Sequence, residues 1–137
     1  MLFRSSSKGG NFVHMMLRLA SAGQRIRVVS DQILTPTSTR DLAEKLVPLI
    51  HTEQYGVYHM TNTGECSWFD FAREIFRQVG LSPDLIPIGS DAFGAKARRP
   101  AYSVLDNCAL RSAGLPDFRP WQEALAEYLR ERQKRNS

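Results

Sequence analysis

The chain has 137 residues, of which 42% are hydrophobic and 23% charged, the balance of an ordinary globular protein and not of a disordered one. No run of 18 apolar residues is present to cross a bilayer, no long apolar leader follows Met1, and two cysteines, Cys66 and Cys108, are too few for a disulfide scaffold or a four-ligand zinc site. The net charge of +4 falls mostly in residues 130–137, where Arg130, Arg132, Lys134 and Arg135 face Glu131 alone, so the basicity reads as a solvated helix end with a frayed basic tail. The expectation is one cytoplasmic domain over residues 1–137, with neither nucleic acid nor a membrane as partner.

After Gly9-Gly10-Asn11, the positions Phe12, Met16 and Leu19, with Val13, Leu17 and Ala20 beside them, predict a helix stopped at Gly23. Residues 25–29 read as a strand, and residues 30–37 as a loop closed by Pro36. A helix over residues 38–50 follows, with Leu42, Ala43, Leu46, Val47 and Ile50 as its buried stripe and Pro48 expected to kink or shorten it. Residues 56–61 read as a strand, and Asn62-Thr63-Gly64 turns the chain.

Ser67 and Asp70 have capping-box spacing ahead of Trp68, Phe71, Ala72, Ile75, Phe76 and Val79, an unbroken helical stripe that Gly80 ends. Residues 85–88 are a short extended piece whose Pro87 suggests an edge. Residues 89–100 read as a polar loop, Asp106 as the cap of a short helix to Ala113, and a last helix begins near Pro120 with Trp121, Leu125, Tyr128 and Leu129 on its apolar face. The order is α-β-α-β-α-β-loop-α-α, mostly helical, with strands too few and too scattered to make a sheet of their own.

A dinucleotide site needs closely spaced glycines so that backbone approaches the pyrophosphate, and no G-x-G pair occurs among the nine glycines. Tyr55, Tyr58, Tyr102 and Tyr128 are followed four residues later by His59, Asn62, Asp106 and Arg132, so no tyrosine has a lysine at helical spacing to lower its pKa. Cys66, with His59 as base, has only a faint nucleophile-elbow context and reads as a small residue near a helix start. His14, His51 and His59 have no metal-ligand spacing, and Asp31, Asp41, Glu65 and Asp70 are explained by caps and turns. Two features point to an anion: Gly9-Gly10-Asn11 at a helix start, and Lys96, Arg98 and Arg99 within four positions, the arginine fork being suited to phosphate. A plain helix cap and an exposed basic loop explain the same residues.

Five strings in order carry a resemblance: Gly10-Asn11-Phe12-Val13 with Met16-Leu17-Arg18-Leu19-Ala20; Val28-Val29-Ser30-Asp31-Gln32 with Pro36-Thr37 and Asp41-Leu42-Ala43; Gly56-Val57-Tyr58-His59-Met60-Thr61-Asn62; Gly64-Glu65-Cys66-Ser67-Trp68-Phe69-Asp70-Phe71-Ala72; and Arg99-Pro100-Ala101-Tyr102-Ser103-Val104-Leu105-Asp106-Asn107. Together they resemble the C-terminal part of the dTDP-4-dehydrorhamnose reductase family, within the extended short-chain dehydrogenase/reductase group. The resemblance implies an α/β, mostly helical substrate-binding region with a few short strands. The N-terminal Rossmann domain, with its glycine fingerprint and Thr/Tyr/Lys set, is expected to be absent, as from a truncated chain.

By that resemblance the whole enzyme reduces dTDP-4-dehydro-L-rhamnose with NADPH to dTDP-L-rhamnose, and this chain alone binds the dTDP-sugar without turnover. Asn11 would face the nucleotide-sugar, Arg99 would hold the diphosphate or a nearby group, and Gln32 and Thr37 would shape the pocket. No catalytic, cofactor or metal residue is carried over. The family's tryptophan beside the sugar has no counterpart in residues 1–7, and residues 57–61 would be a strand of the parent sheet. Magnesium bridges some family dimers near the position of Asp41, which is a single carboxylate here. A non-catalytic regulatory module of the same fold group, or a piece completing a separate Rossmann chain, are the alternatives. An orphaned sheet edge leads to the expectation of a homodimer.

Overall fold

The structure is a computed structural model that describes residues 2–3, 10–94 and 99–136. Packing divides the chain into two compact units: residues 1–5, 35–64 and 104–137 form the first, and residues 6–34 and 65–103 the second.

The first unit holds β1 (Leu2–Phe3), β4 (Thr37–Ser38), α2 (Thr39–Ile50), α5 (Cys108–Ser112) and α6 (Trp121–Asn136), with β1 and β4 paired in parallel. In α6 the side chains of Trp121, Ala124, Leu125 and Leu129 are buried at helical spacing. The helix continues to Asn136, so the basic residues after Leu129 extend it instead of fraying as expected, and Arg40 bonds Glu131 across to α2. Gly64 has φ +84°, and a Cβ there would come within 3.2 Å of the Trp121 ring, so only glycine lets the chain pass.

Three further expectations for this unit fail. Residues 56–61 are not a strand. A strand exists only with a partner for its N–H and C=O groups, and among the described residues none pairs with them. At the end of the segment Asn107 takes that role with its side chain, accepting from Thr61 N at 3.0 Å and donating to Thr61 O at 2.7 Å. Helix α2 does form, with Pro48 inside it, but Leu46, Val47 and Ile50 are 44%, 56% and 65% exposed, and Asp41 is its buried residue. Leu42 of the apolar stripe is half-buried, and the rest of it stays open among the described residues. Asp106, expected to cap α5, instead pairs with Arg111, and Asn107 stands at the cap position.

The second unit holds α1 (Phe12–Ser21), β2 (Ile26–Val29), β3 (Ile33–Leu34), β5 (Cys66–Ser67), α3 (Trp68–Val79), β6 (Leu85–Ile88) and α4 (Ser90–Phe93). The expected α3 is fully realised. Ser67 and Asp70 close a reciprocal capping box, Gly80 ends the helix at φ +70°, and Phe71, Ala72, Ile75 and Phe76 are buried. Helix α1 packs on it through Phe12, whose ring centroid lies 4.8 Å from Trp68 and 5.5 Å from Phe71.

Strands β2 and β6 pair in parallel, with Pro87 opposite Val28. The region expected as a loop after β2 contains β3, which pairs antiparallel with β5, and β4 of the first unit. The polar loop after β6 contains the one-turn α4. These short elements have no period to read, because each rests on a partner distant in sequence. The described sheets each have two strands, so the fold is α/β with helices dominant, as the sequence implied.

Candidate functional site

The second unit carries an open cavity of about 1070 Å³ between the end of β2, helix α4 and residues 99–101. That volume accommodates a ligand of sugar-nucleotide size. Its floor is polar. Asp31 accepts from the Ser90 N–H at 2.9 and 3.1 Å through its two oxygens and from the Ser90 hydroxyl at 2.6 Å. The Gln32 amide donates to the same hydroxyl oxygen at 2.8 Å. The Ser90 bonds hold the Asp31 carboxyl below the usual carboxylate range. Phe93 and Arg99 stand on the wall, both exposed, and Arg99 makes no ion pair among the described residues. Next to the wall, Tyr102 donates to Glu65 at 2.6 Å, which raises the phenol.

The cavity joins two of the four residues expected at the substrate, Gln32 and Arg99. Asn11 caps α1, its side-chain oxygen accepting from the His14 N–H at 2.8 Å, and is not among the lining residues. Thr37 belongs to the first unit, where its hydroxyl is buried and donates to the Thr35 carbonyl at 3.4 Å. Gly9, Lys96 and Arg98 lie outside the described residues. Phe93 was missed. The available signal was a lone aromatic in an otherwise polar loop, which carries no periodicity.

Cys66 is buried, and burial with the nearby Asp70 charge pushes its thiol up to about 12, which leaves it no thiolate near neutral pH. This agrees with the reading of Cys66 as a small core residue.

The first unit closes its polar groups on one another. Arg119 donates to both oxygens of Asp41, at 2.8 and 2.6 Å, and to Glu127 at 2.5 Å. Asn62 donates to Asp41 at 2.8 Å and accepts from the Ser38 N–H at 2.8 Å. Burial alone would raise the Asp41 carboxyl, but Arg119, Asn62 and Ser38 outweigh it and hold the group below its ordinary value. The pocket beside this network has about 20 Å³, room for one water. No group of three metal-ligating side chains occurs among the described residues. No helix among them is long and apolar enough to cross a membrane.

The family model described as the RmlD substrate binding domain matches residues 1–134. The chain belongs to this family. A spore coat polysaccharide biosynthesis protein of Bacillus subtilis is 48% identical over 124 residues, covering 90% of this chain and 43% of that protein. A dTDP-4-dehydrorhamnose reductase of Streptomyces griseus is 42% identical over 125 residues, covering 87% of this chain and 41% of its own length. The crystal structure of dTDP-4-dehydrorhamnose reductase from Bacillus anthracis in complex with NADP superimposes with a TM-score of 0.90 at 41% identity, over 95% of this chain and 46% of that one. The chain therefore spans less than half the length of these relatives.

Proposed function

We propose that this chain is the part of a dTDP-4-dehydrorhamnose reductase that grips the nucleotide-sugar. The whole enzyme would reduce the 4-keto group of dTDP-4-dehydro-L-rhamnose with NADPH. The observation that carries the reading is Arg99, an exposed cation on the wall of a cavity large enough for the ligand. A guanidinium fork donates two parallel hydrogen bonds to a phosphate. That Gln32 and Arg99 line the same cavity supports their part in the reading; for Asn11 and Thr37 the support is the family resemblance alone.

We read the chain as lacking the nicotinamide site because a pyrophosphate needs closely spaced glycines at a helix start, and no G-x-G pair occurs among its nine glycines. The chain alone is therefore proposed to bind sugar nucleotide without reducing it. Calorimetric titration with dTDP tests this: the unaltered chain binds, and Arg99→Ala weakens binding about ten- to hundredfold, the loss of one or two charge-assisted bonds. Equal affinity in the two proteins contradicts the assignment, as does NADPH-dependent reduction of the keto-sugar by the purified chain.

The open stripe of α2 favours a second reading for the other unit. Leu46, Val47 and Ile50, with the exposed Tyr55 and Val57, make an apolar surface suited to assembly, either with a cofactor-binding chain or as a homodimer. Light scattering at high concentration would show self-association; a clean monomer counts against the homodimer.

A further inference from the structure

We propose that Phe93 is the ledge on which the base of a bound nucleoside diphosphate stacks, and that Asp31 and Gln32 act through Ser90 to hold that ledge. The proposal rests on the nucleotide-sugar reading and deepens it.

Phe93 is 59% exposed, whereas Phe71, Phe76 and Phe118 are buried and Phe12 and Phe69 half-buried. An open aromatic ring forfeits the burial that the others gain, and here it does so on a cavity wall that also carries a guanidinium. An aromatic face and an exposed cation on one cavity suit a ligand that is flat and apolar at one end and anionic further on. A nucleoside diphosphate has that form. Stacking accepts any base, since every base has a π-face, so Phe93 supplies affinity and Arg99 supplies the demand for phosphate.

The ring needs support, because α4 is a single turn of four residues and too short to be stable alone. It is fastened at its first residue. The Ser90 N–H and hydroxyl both donate to Asp31, and the hydroxyl oxygen accepts from Gln32. Phe93 lies three residues on, on the same face of the turn. Gly94, left-handed at φ +66°, stops the turn directly after it. Asp31 and Gln32 are thus positioning residues, and their bonds reach the ligand only through the placement of the ring.

The test is calorimetric titration of the full chain with two probes, dTDP and inorganic pyrophosphate. Phe93→Ala is expected to weaken dTDP about tenfold and to leave pyrophosphate unchanged. Phe93→Trp restores dTDP affinity. Ser90→Ala weakens dTDP less, leaves pyrophosphate unchanged, and adds nothing in the Phe93→Ala background, because both act through one ring. Undiminished dTDP binding by Phe93→Ala overturns the ledge and leaves the nucleotide-sugar reading standing. Equal losses for both probes overturn it as well, since the residue would then only shape the cavity. Additive effects of Ser90→Ala and Phe93→Ala overturn the clamp. Failure of the unaltered chain to bind dTDP overturns this proposal and the reading beneath it.

Discussion

Helices α2 and α3 each run twelve residues, and each starts on a serine whose side chain accepts from the N–H of an aspartate three residues on. Each carries an apolar stripe at helical spacing. In α3 Phe71, Ala72, Ile75 and Phe76 of that stripe are buried, with Trp68 and Val79 half-buried at its ends. In α2 the corresponding stripe faces solvent. The difference shows that caps and periodicity decide whether a helix forms, whereas a neighbour decides what its apolar face is for. The second unit supplies that neighbour in α1, through Phe12. The first unit spends its packing on α6 and on the Asp41–Arg119 network, and leaves α2 uncovered on one side.

Substitutions can break this comparison, beginning with the largest effect. Phe71→Ala should destabilise the chain by about 3–5 kcal/mol, the cost of a cavity in a filled core. Denaturant unfolding measures it, and a loss below that of a surface change would mean α3 is not the core. Arg119→Ala should cost about 2–3 kcal/mol, under the value for a fully buried pair because the arginine remains a third exposed.

The same pair sets a pH dependence. The folded Asp41 carboxyl lies below the unfolded value of 3.8, so its contribution is complete above that pH and is lost as pH falls through the folded value. Stability of the unaltered chain should therefore fall more steeply under acid than that of Asp41→Asn. Parallel acid profiles would remove Asp41 from the account.

Ser67→Ala and Ser38→Ala should each cost about 1 kcal/mol, since both remove an N-cap. A much larger loss at Ser38 would show that tertiary contacts, and not the local cap, hold α2. Ile50→Ser should change stability by at most about 0.5 kcal/mol, because the side chain is exposed already. A loss of several times that would mean the α2 face is covered in solution by another molecule.

The sequence made α3 legible because everything that specifies it lies within fourteen consecutive residues, from Ser67 to Gly80. The pairing of Ile26 with Leu85, or of Ile33 with Ser67, has no such local mark, since the partners meet only after the intervening chain has folded. Residues 56–61 show the converse error: their composition reads as a strand, yet among the described residues nothing pairs with them, and Asn107 satisfies Thr61 instead. Of the residues lining the cavity, Arg99 and Gln32 were legible as expectations through the motif strings that carry the family resemblance. Phe93 was not, because a single aromatic on a one-turn helix has no pattern, and its meaning comes from the cavity it lines.

The central claim is that the second unit's cavity receives the nucleotide end of the ligand. Backbone amide shifts on titration with dTDP test it most directly, residue by residue. The account predicts that Gln32, Ser90, Phe93, Arg99 and Ala101 move together along one saturating curve while amides of α2 and α6 stay in place. Saturating shifts confined to the first unit, or none at all, would contradict it.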